Sequence, residues 1–165
     1  MIKKKICLLG SFAVGKTSLI QQYVHSIFSE KYHTTIGVKI DQKSVHVNDK
    51  DVNLLIWDIH GEDEFQKVRQ SYLIGASGYL LVMDGTRKKT YDVAQLLHEK
   101  AVASLGNVPF IFIINKNDLK NEWDIDTKLI SRIEANEWDV LLTSAKTGEG
   151  VEHAFNRLVK RMIGV

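Results

Sequence analysis

Five short, unbroken apolar runs recur along the chain and restrict its possible folds more than any other feature. They span residues 6–9, 54–57, 79–83, 110–114 and 140–142. Unbroken runs of this length are typical of strands that are covered on both faces, as in a parallel sheet. Stretches of helical period separate several of them, and the last such stretch carries one apolar stripe, formed by Val151, Phe155, Leu158 and Met162. The alternation predicts an α/β fold with a doubly wound, mostly parallel sheet.

One stretch departs from this alternation. Val38–Val47 and Val52–Trp57 are separated by the polar residues 48–51, which predicts an antiparallel hairpin. Polar and apolar residues alternate over 44–47, as is typical of a half-exposed edge strand. We therefore expect a strand, a helix, the hairpin, a helix, and then alternating strands and helices. Ligands of such sheets bind at the carboxyl ends of the strands, so a site is expected there.

Composition excludes several classes of protein. The chain has 165 residues with one Cys and one Pro, so it has no internal disulfide or multi-Cys zinc site, and a reducing compartment such as the cytoplasm is expected. A net charge of +2 argues against a dedicated nucleic-acid binder, and the basic run 3–5 is interpreted as a solvated lead-in to the first strand. No apolar stretch approaches the roughly 18 residues of a membrane span. The last residues contain no Cys for prenylation, so we expect no lipid anchor in this chain. We also expect a monomer.

The segment that follows the first strand, residues 10–17, reads G-S-F-A-V-G-K-T and matches the pattern G-x-x-x-x-G-K-[ST]. The backbone N–H groups of such a loop and the N-terminus of the following helix form an anion-binding nest. Lys16 adds a positive charge for the β- and γ-phosphates, and the Thr17 hydroxyl can bind Mg²⁺. The sequence therefore predicts a nucleotide phosphate site.

The third strand ends in D-I-H-G, residues 58–61. Asp58 fits the carboxylate that holds Mg²⁺, usually through water, beside a phosphate loop. The Gly61 N–H can meet a γ-phosphate because no side chain blocks the approach. Alone, D-x-x-G also describes many turns, and its place after the phosphate loop is what makes it informative.

Two further segments end strands: N-K-N-D at 115–118 and T-S-A-K at 143–146. Guanine has neighbouring N–H donors at N1 and N2, which the Asp118 carboxylate can accept together. Adenine has an acceptor at N1 and would leave this carboxylate unpaired, which discriminates strongly when the group is buried. A backbone N–H of the second segment can reach the guanine O6. Either segment alone is compatible with a solvated loop, but together they favour GTP over ATP, and so disfavour an ATP-using kinase or ATPase.

These motifs, in this order and spacing, resemble the small GTPases of the Ras superfamily over the whole chain. Residues 34–39 and 71–78 are most similar to the Rab branch. The resemblance implies a phosphate-loop NTPase fold of the small G-protein type, with six strands and five helices in a single G domain, residues 1–165. It also implies that Thr35 binds Mg²⁺ and senses the γ-phosphate, that Phe28 packs edge-on against guanine, and that Tyr32 can close over the phosphates.

The motifs and the resemblance together predict a molecular switch whose substrate is GTP, whose product is GDP and whose cofactor is Mg²⁺. Effectors, exchange factors and GTPase-activating proteins are the expected partners, through switch I at about 30–40 and switch II at about 60–74. The candidate catalytic residues are Lys16, Thr35 and Glu62, and the candidate metal ligands are Thr17, Thr35 and Asp58. The candidate nucleotide-binding residues are Gly10, Ala13, Val14, Gly15, Lys16, Thr17, Ser18, Phe28, Tyr32, Thr35, Gly61, Asn115, Lys116, Asp118, Ser144, Ala145 and Lys146.

Two departures from the family bear on hydrolysis. Glu62 stands where the family has the Gln that orients the attacking water, and it lacks an amide donor. At an assumed ~5 Å its charge would repel the γ-phosphate by roughly 3 kcal/mol, which either raises the barrier or favours a protonated, donating acid. Phe12 replaces a small residue where an activator's arginine finger enters. Both departures predict slow hydrolysis or, alternatively, a GTP-loaded docking module. In a further interpretation the Phe12 ring turns outward and Glu62 is a mobile switch residue, so that neither slows hydrolysis.

Other departures concern the tail and the histidines. The long tail typical of Rab-like proteins does not follow the last predicted helix. His60 stands where relatives have Ala. The remaining histidines show no metal-ligand spacing and are all predicted to lie on the surface; they are His25, His33, His46, His98 and His153.

Overall fold

A computed structural model of the chain describes residues 1–30, 35, 37–61 and 67–165. Six strands form one sheet in the order β2-β3-β1-β4-β5-β6. Every pair of neighbouring strands is parallel except β2 and β3. The predicted mostly parallel sheet of six strands is confirmed. The strands are β1 (Ile2–Gly10), β2 (Val38–Val47), β3 (Lys50–Ile59), β4 (Gly78–Asp84), β5 (Phe110–Asn115) and β6 (Val140–Leu142).

Helices connect the parallel strands. Between β3 and β4 the described residues contain the 3₁₀ helix Gln70–Tyr72. The second of the five expected helices is predicted in this connection, of which residues 62–66 lie outside the described part. A second 3₁₀ helix spans Asn117–Glu122. No helix among the described residues is long and apolar enough to cross a membrane. The α-helices are α1 (Lys16–His25), α2 (Lys89–Leu105), α3 (Thr127–Ala135) and α4 (Val151–Ile163).

The sheet is covered on both faces, which explains why its strands are apolar without interruption. One core lies under α1 and α4, where Leu8 and Val82 pack with Phe155. The other core lies under α2 and α3 and includes Leu9 and Leu81. Successive residues of β1 and of β4 thus point into opposite cores, and both sets have to be apolar.

The hairpin is as predicted, but its turn is shorter. Val47 pairs with Lys50, so only Asn48 and Asp49 connect the strands. Their φ angles are 47° and 60°. Two positive φ angles are the geometry of the tightest hairpin turns, and Asn and Asp tolerate it better than most residues. The prediction that 48–51 form the turn is therefore wrong by two residues, whereas the edge position of β2 is confirmed.

The lysines at 3–5 are part of β1 and not a lead-in to it. They pair in register with residues 53–55 of β3. The Lys5 ammonium donates to the Ile74 carbonyl over 2.8 Å and lies 3.5 Å from the centre of the Trp57 ring. Lysine stems lie along apolar surface while the charge reaches polar partners, so a basic run can continue a strand.

The prediction that His98 lies on the surface is wrong. Its Nδ1 lies 2.8 Å from Tyr79 Oη, and its ring packs against the rings of Phe110 and Trp138 at 4.6 and 4.8 Å between centroids. The residue follows the buried Ala94 by four positions on α2, so it shares that apolar face. Of the other histidines, those at 25, 46 and 153 are exposed, and that at 33 lies outside the described residues.

Candidate nucleotide-binding site

A cavity of about 370 Å³ opens at the carboxyl ends of β1, β3 and β5 and at the loop that follows β6. This is the edge of the sheet at which the sequence predicts ligand binding. Most of the candidate residues meet here. Those that line the cavity are Ala13, Gly15, Lys16, Thr17, Ser18, Phe28, Thr35, Asp58, Gly61, Asn115, Lys116, Asp118, Ala145 and Lys146.

Three candidates lie behind the cavity wall. Gly10 ends β1, and Val14 is buried in the core beneath α1. Ser144 is fully buried and acts through Asp118. Tyr32 and Glu62 lie outside the described residues, so their predicted roles stay predictions.

The phosphate loop connects β1 to the N-terminus of α1. Gly15 has a φ of 102°, and a Cβ there would lie 2.4 Å from Asn115 Nδ2, so no larger residue fits. Lys16 begins the helix and is 6% exposed. Its ammonium donates to the carbonyls of Gly10 and Ser11, each over 3.1 Å. A helix N-terminus without a side-chain cap and a buried ammonium together suit a bound anion.

Burial lowers the pKa of Lys16 to about 8. The Asp58 carboxylate opposes this shift and the Arg87 guanidinium adds to it. The charged form of this ammonium is therefore costly in the free protein, and a phosphate beside it would favour that form.

The three candidate metal ligands meet at one point. Thr17 Oγ1 donates to Asp58 Oδ2 over 2.7 Å, so the Thr35 hydroxyl, 3.0 Å from Thr17 Oγ1, donates to it in turn. Asp58 is 1% exposed, and its Oδ1 has no hydrogen-bond partner among the described residues. Burial raises the pKa of Asp58, and the Thr17 hydrogen bond and the Lys16 charge oppose that shift.

These groups fit Mg²⁺. A buried carboxylate oxygen without a partner needs a ligand, and hydroxyl and carboxylate oxygens are what this hard cation prefers. In the described part of the chain, no three His, Cys, Asp or Glu side chains form a group that could hold a metal. The remaining ligands of the ion would thus come from phosphate oxygens and water, as Mg²⁺ commonly has them.

Gly61 lies against the phosphate loop. A Cβ on it would lie 2.4 Å from Phe12 Cα, so this approach requires glycine. The neighbouring His60 N–H donates to the Gly37 carbonyl over 2.9 Å, which ties the end of β3 to the segment that carries Thr35. Both predicted switch segments therefore reach the phosphate end of the cavity.

Asn115 joins the phosphate loop to the predicted base-binding loops, which are residues 115–118 after β5 and residues 143–146 after β6. Its Nδ2 donates to the Val14 carbonyl over 3.0 Å, and its Oδ1 accepts from Thr143 Oγ1 over 2.9 Å and from the Ala145 N–H over 3.3 Å. One buried amide at the end of β5 thus contacts both the phosphate loop and the loop after β6.

Asp118 is oriented from behind. Its Oδ1 accepts from Ser144 Oγ over 2.7 Å, and a carboxylate has further lone pairs for two N–H donors of a base. Phe28 lines the same end of the cavity and is 38% exposed. Lys146 Nζ lies 3.3 Å from Glu30 Oε1 at the rim, where an exposed ion pair contributes little.

Comparison with known proteins agrees with this geometry. The model of the Ras family matches residues 5–164. This chain belongs to the Ras family. Human Ras-related protein Rab-4B is 37% identical over 161 residues, which are 96% of this chain and 76% of that protein. Bovine Ras-related protein Rab-4A is 35% identical, over 96% of this chain and 74% of its own length.

A further relative lies outside the Rab branch. The GTP-binding protein Rheb homolog of Dictyostelium discoideum is 34% identical over 163 residues, which are 96% of this chain and 87% of that protein. The Rab-like resemblance deduced from the motifs is confirmed, and membership of the Ras family supports a GTPase in general.

Asp84, the last residue of β4, belongs to none of the motifs from which the site residues of this Ras-family protein are predicted. It is buried, and its Oδ2 lies 2.8 Å from Lys116 Nζ and 3.0 Å from Arg87 Nε. Burial alone would raise the pKa of Asp84, but hydrogen bonds from Lys116 and from Thr86 hold it below its usual value. The strand-end rule that singled out Asp58 applies to β4 as well, and would have found this carboxylate.

Proposed function

We propose that this Ras-family protein binds GTP and GDP together with Mg²⁺, hydrolyses GTP slowly, and signals its state through switch I and switch II. The observation that carries the proposal is the meeting of Thr17, Thr35 and Asp58 beside the buried Lys16 ammonium. Effectors, exchange factors and activating proteins are its expected partners at the switches. We expect it to work as a monomer in the cytoplasm.

Hydrolysis at this site would depend on positioning and on neutralisation of charge. Phosphoryl transfer needs little covalent participation by the protein, so preorganised donors supply most of the effect. Lys16 and the N–H groups of the phosphate loop bind the phosphate oxygens and do not need to reorganise during the reaction. Mg²⁺ held by Thr17, Thr35 and Asp58 would supply further positive charge at the β- and γ-phosphates.

The switch follows from two contacts with the terminal phosphate. Thr35 and Gly61 both line the cavity, and each would contact the terminal phosphate from one switch segment. The hydrogen bond from the His60 N–H to the Gly37 carbonyl joins the two segments beside it. Loss of the γ-phosphate removes a shared partner, and release of both segments is the expected result.

A competition assay tests the choice of base. Labelled GDP bound in Mg²⁺ should be displaced by GTP and not by ATP, and EDTA should weaken its binding. Asp118→Asn should reduce GDP affinity by a factor of 100 or more, on the order of 10²–10⁴, because the carboxylate that accepts both guanine donors is lost. Asp49→Asn, at a fully exposed carboxylate in the hairpin turn, is the matched control. Displacement by ATP as effective as by GTP would exclude this function.

Single-turnover hydrolysis tests the slow rate. Phe12 lines the cavity close to Gly61. We propose that it limits the entry of an activator's arginine there. We expect Phe12→Gly and Glu62→Gln each to hydrolyse GTP faster than wild type, and more so with an activator that supplies an arginine. Equal, fast rates in all three proteins would refute the hypothesis. Phe12 and Glu62 also support a GTP-loaded docking module as the second candidate. That candidate predicts purified protein that retains GTP, whereas a turning-over enzyme accumulates GDP.

A further inference from the structure

We propose that Arg87 is a positioning residue that holds the phosphate loop at a fixed distance from the base-binding loop. It does so through a chain of contacts from Lys116 to Asp84, from Asp84 to Arg87, and from Arg87 to the Phe12 carbonyl, which we call the Arg87 bridge. The proposal rests on the proposed function and names a further residue of the same nucleotide site.

The Arg87 guanidinium contacts the phosphate loop and the end of β4 at once. Its Nη2 donates to the Phe12 carbonyl over 2.7 Å, and its Nε donates to Asp84 Oδ2 over 3.0 Å. The planar fork of arginine can make both bonds in fixed directions, which the single ammonium of lysine cannot. Arg87 therefore fixes where the Phe12 peptide lies relative to the end of β4.

Arg87 differs from most surface arginines because its carboxylate partner, Asp84, is buried. Arg87 is 42% exposed along its side chain, but the side chain of Asp84 is only 1% exposed. The Thr86 N–H and hydroxyl donate to Asp84 Oδ1 over 2.8 and 2.7 Å, so this carboxylate has little freedom to move. An ion pair with one buried, hydrogen-bonded partner retains a strength that a fully exposed pair loses to water.

The far end of the Arg87 bridge is the base-binding loop. Lys116 Nζ lies 2.8 Å from Asp84 Oδ2, and the Lys116 carbonyl accepts from Trp123 Nε1 over 2.8 Å. The φ of Lys116 is 70°, a conformation that its neighbours have to maintain. Asp84 thus holds Lys116 of the base-binding loop and also holds Arg87, which in turn contacts the phosphate loop.

The near end of the bridge controls the phosphate loop. The Phe12 backbone contacts Arg87 through its carbonyl and lies against Gly61, where a Cβ on the glycine would be 2.7 Å from Phe12 N. A displacement of this peptide would move the N–H groups that bind phosphate and would change the approach of Gly61. Base recognition depends on Asp118, which the phosphate loop does not contact in the described hydrogen bonds.

Affinities for GDP and GMP separate a positioning role from a general loss of structure. Both ligands carry guanine, but only GDP has the β-phosphate that the phosphate loop surrounds. Competition against labelled GDP in Mg²⁺ measures both affinities. We expect Arg87→Met to weaken GDP about tenfold, the effect of one charge-assisted hydrogen bond, and to weaken GMP less than about twofold.

Two further variants complete the design. Arg87→Lys should keep the ion pair with Asp84 and still fail to restore GDP affinity, because it cannot also reach the Phe12 carbonyl in the same geometry. Arg132→Met is the matched control, since Arg132 pairs with Asp92 across 3.2 Å on the exposed faces of α3 and α2. Both affinities should equal those of wild type in that control.

Each result decides one question. If wild type binds no guanine nucleotide, the proposed function fails and not this inference alone. If wild type binds but Arg87→Met leaves the ratio of GDP to GMP affinity unchanged, the inference is overturned, even when both affinities fall. Full restoration by Arg87→Lys would also overturn it. So would unfolding of both Arg87 variants in circular dichroism beside a folded Arg132→Met, because Arg87 would then serve the fold.

Discussion

Single side chains at the carboxyl edge of the sheet hold several segments of backbone at once. Asn115 contacts the phosphate loop and the loop after β6 with one amide group. Asp84 holds two cations, Arg87 and Lys116. Both residues are buried, so replacing either one leaves its buried partners without hydrogen bonds.

His98 leads to a prediction at the same scale. Burial lowers the pKa of His98 below its ordinary value of 6.5, with a smaller opposing effect of Glu99. The unfolded chain therefore binds a proton more readily than the folded one, and acid favours unfolding. The contribution is fully present above pH 6.5 and is lost as the pH falls through the lower pKa of the folded protein.

We expect the free energy of unfolding to fall between about pH 7 and pH 5, and His98→Gln to reduce that fall. Urea denaturation across this range measures it. His153→Gln, at an exposed histidine of α4, should follow wild type. Parallel curves for wild type and His98→Gln would show that this imidazole has the same pKa in both states.

At the scale of the element, α3 begins at a defined cap. The Asp126 side chain accepts from the Leu129 N–H over 2.8 Å, and the helix then buries Leu129 and Ile133 in the core under α2 and α3. None of its residues lines the nucleotide cavity. The cap therefore affects the stability of the fold separately from ligand binding.

We expect Asp126→Ala to lower the free energy of unfolding by about 1 kcal/mol, the usual value of an N-cap. Urea denaturation measures this, and GDP affinity should not change. Asp126→Asn keeps an accepting side chain and should retain most of the stability. An equal loss in both variants would show that the carboxylate acts through its charge and not as a cap.

The sequence predicts elements where a pattern depends on local chemistry. The apolar runs predict the parallel strands because burial on both faces allows no polar alternation. The start of β3 was placed two residues late, since Lys50 and Asp51 are polar and their pairing with β2 depends on a turn only two residues long. The strand assignment of the lysines at 3–5 was missed for the same reason: backbone pairing is independent of side-chain polarity.

The candidate site follows the same rule. Lys16, Thr17 and Asp58 could be predicted because their motifs state both residue type and neighbours in sequence. Arg87 could not, because its contact with Phe12 joins residues 75 positions apart and depends on which strand ends are adjacent. Asp84 lies between these cases, at a strand end that the general rule covers but no motif describes.

At the scale of the whole molecule, ligand binding should be coupled to stability. A ligand that binds only the folded state stabilises it by about 4 kcal/mol at a concentration 1,000 times its Kd. We therefore expect the midpoint of thermal unfolding to rise steadily with GDP in Mg²⁺, and to rise less in EDTA. Asp118→Asn should show little rise at the same concentrations.

ATP provides the control for this measurement. ATP carries the α- and β-phosphates of GDP and one phosphate more, but its base lacks the donors that Asp118 accepts. A rise with ATP equal to that with GDP would show that the phosphate loop alone determines binding. A midpoint that does not depend on nucleotide concentration would show that the folded chain binds neither.

The strand order places the predicted base-binding loops on the opposite side of β1 from Thr35 and Asp58, which are predicted to bind Mg²⁺. β5 and β6 lie on one side of β1 and carry the residues for the base, whereas β2 and β3 lie on the other side and lead to Thr35 and Asp58. Under the proposed function, β5 and β6 therefore select the base of the ligand, whereas β2 and β3 respond to the number of its phosphates. A protein that contacts only the hairpin side would therefore respond to the number of phosphates without contacting the base, because the opposite half of the sheet has already selected the base.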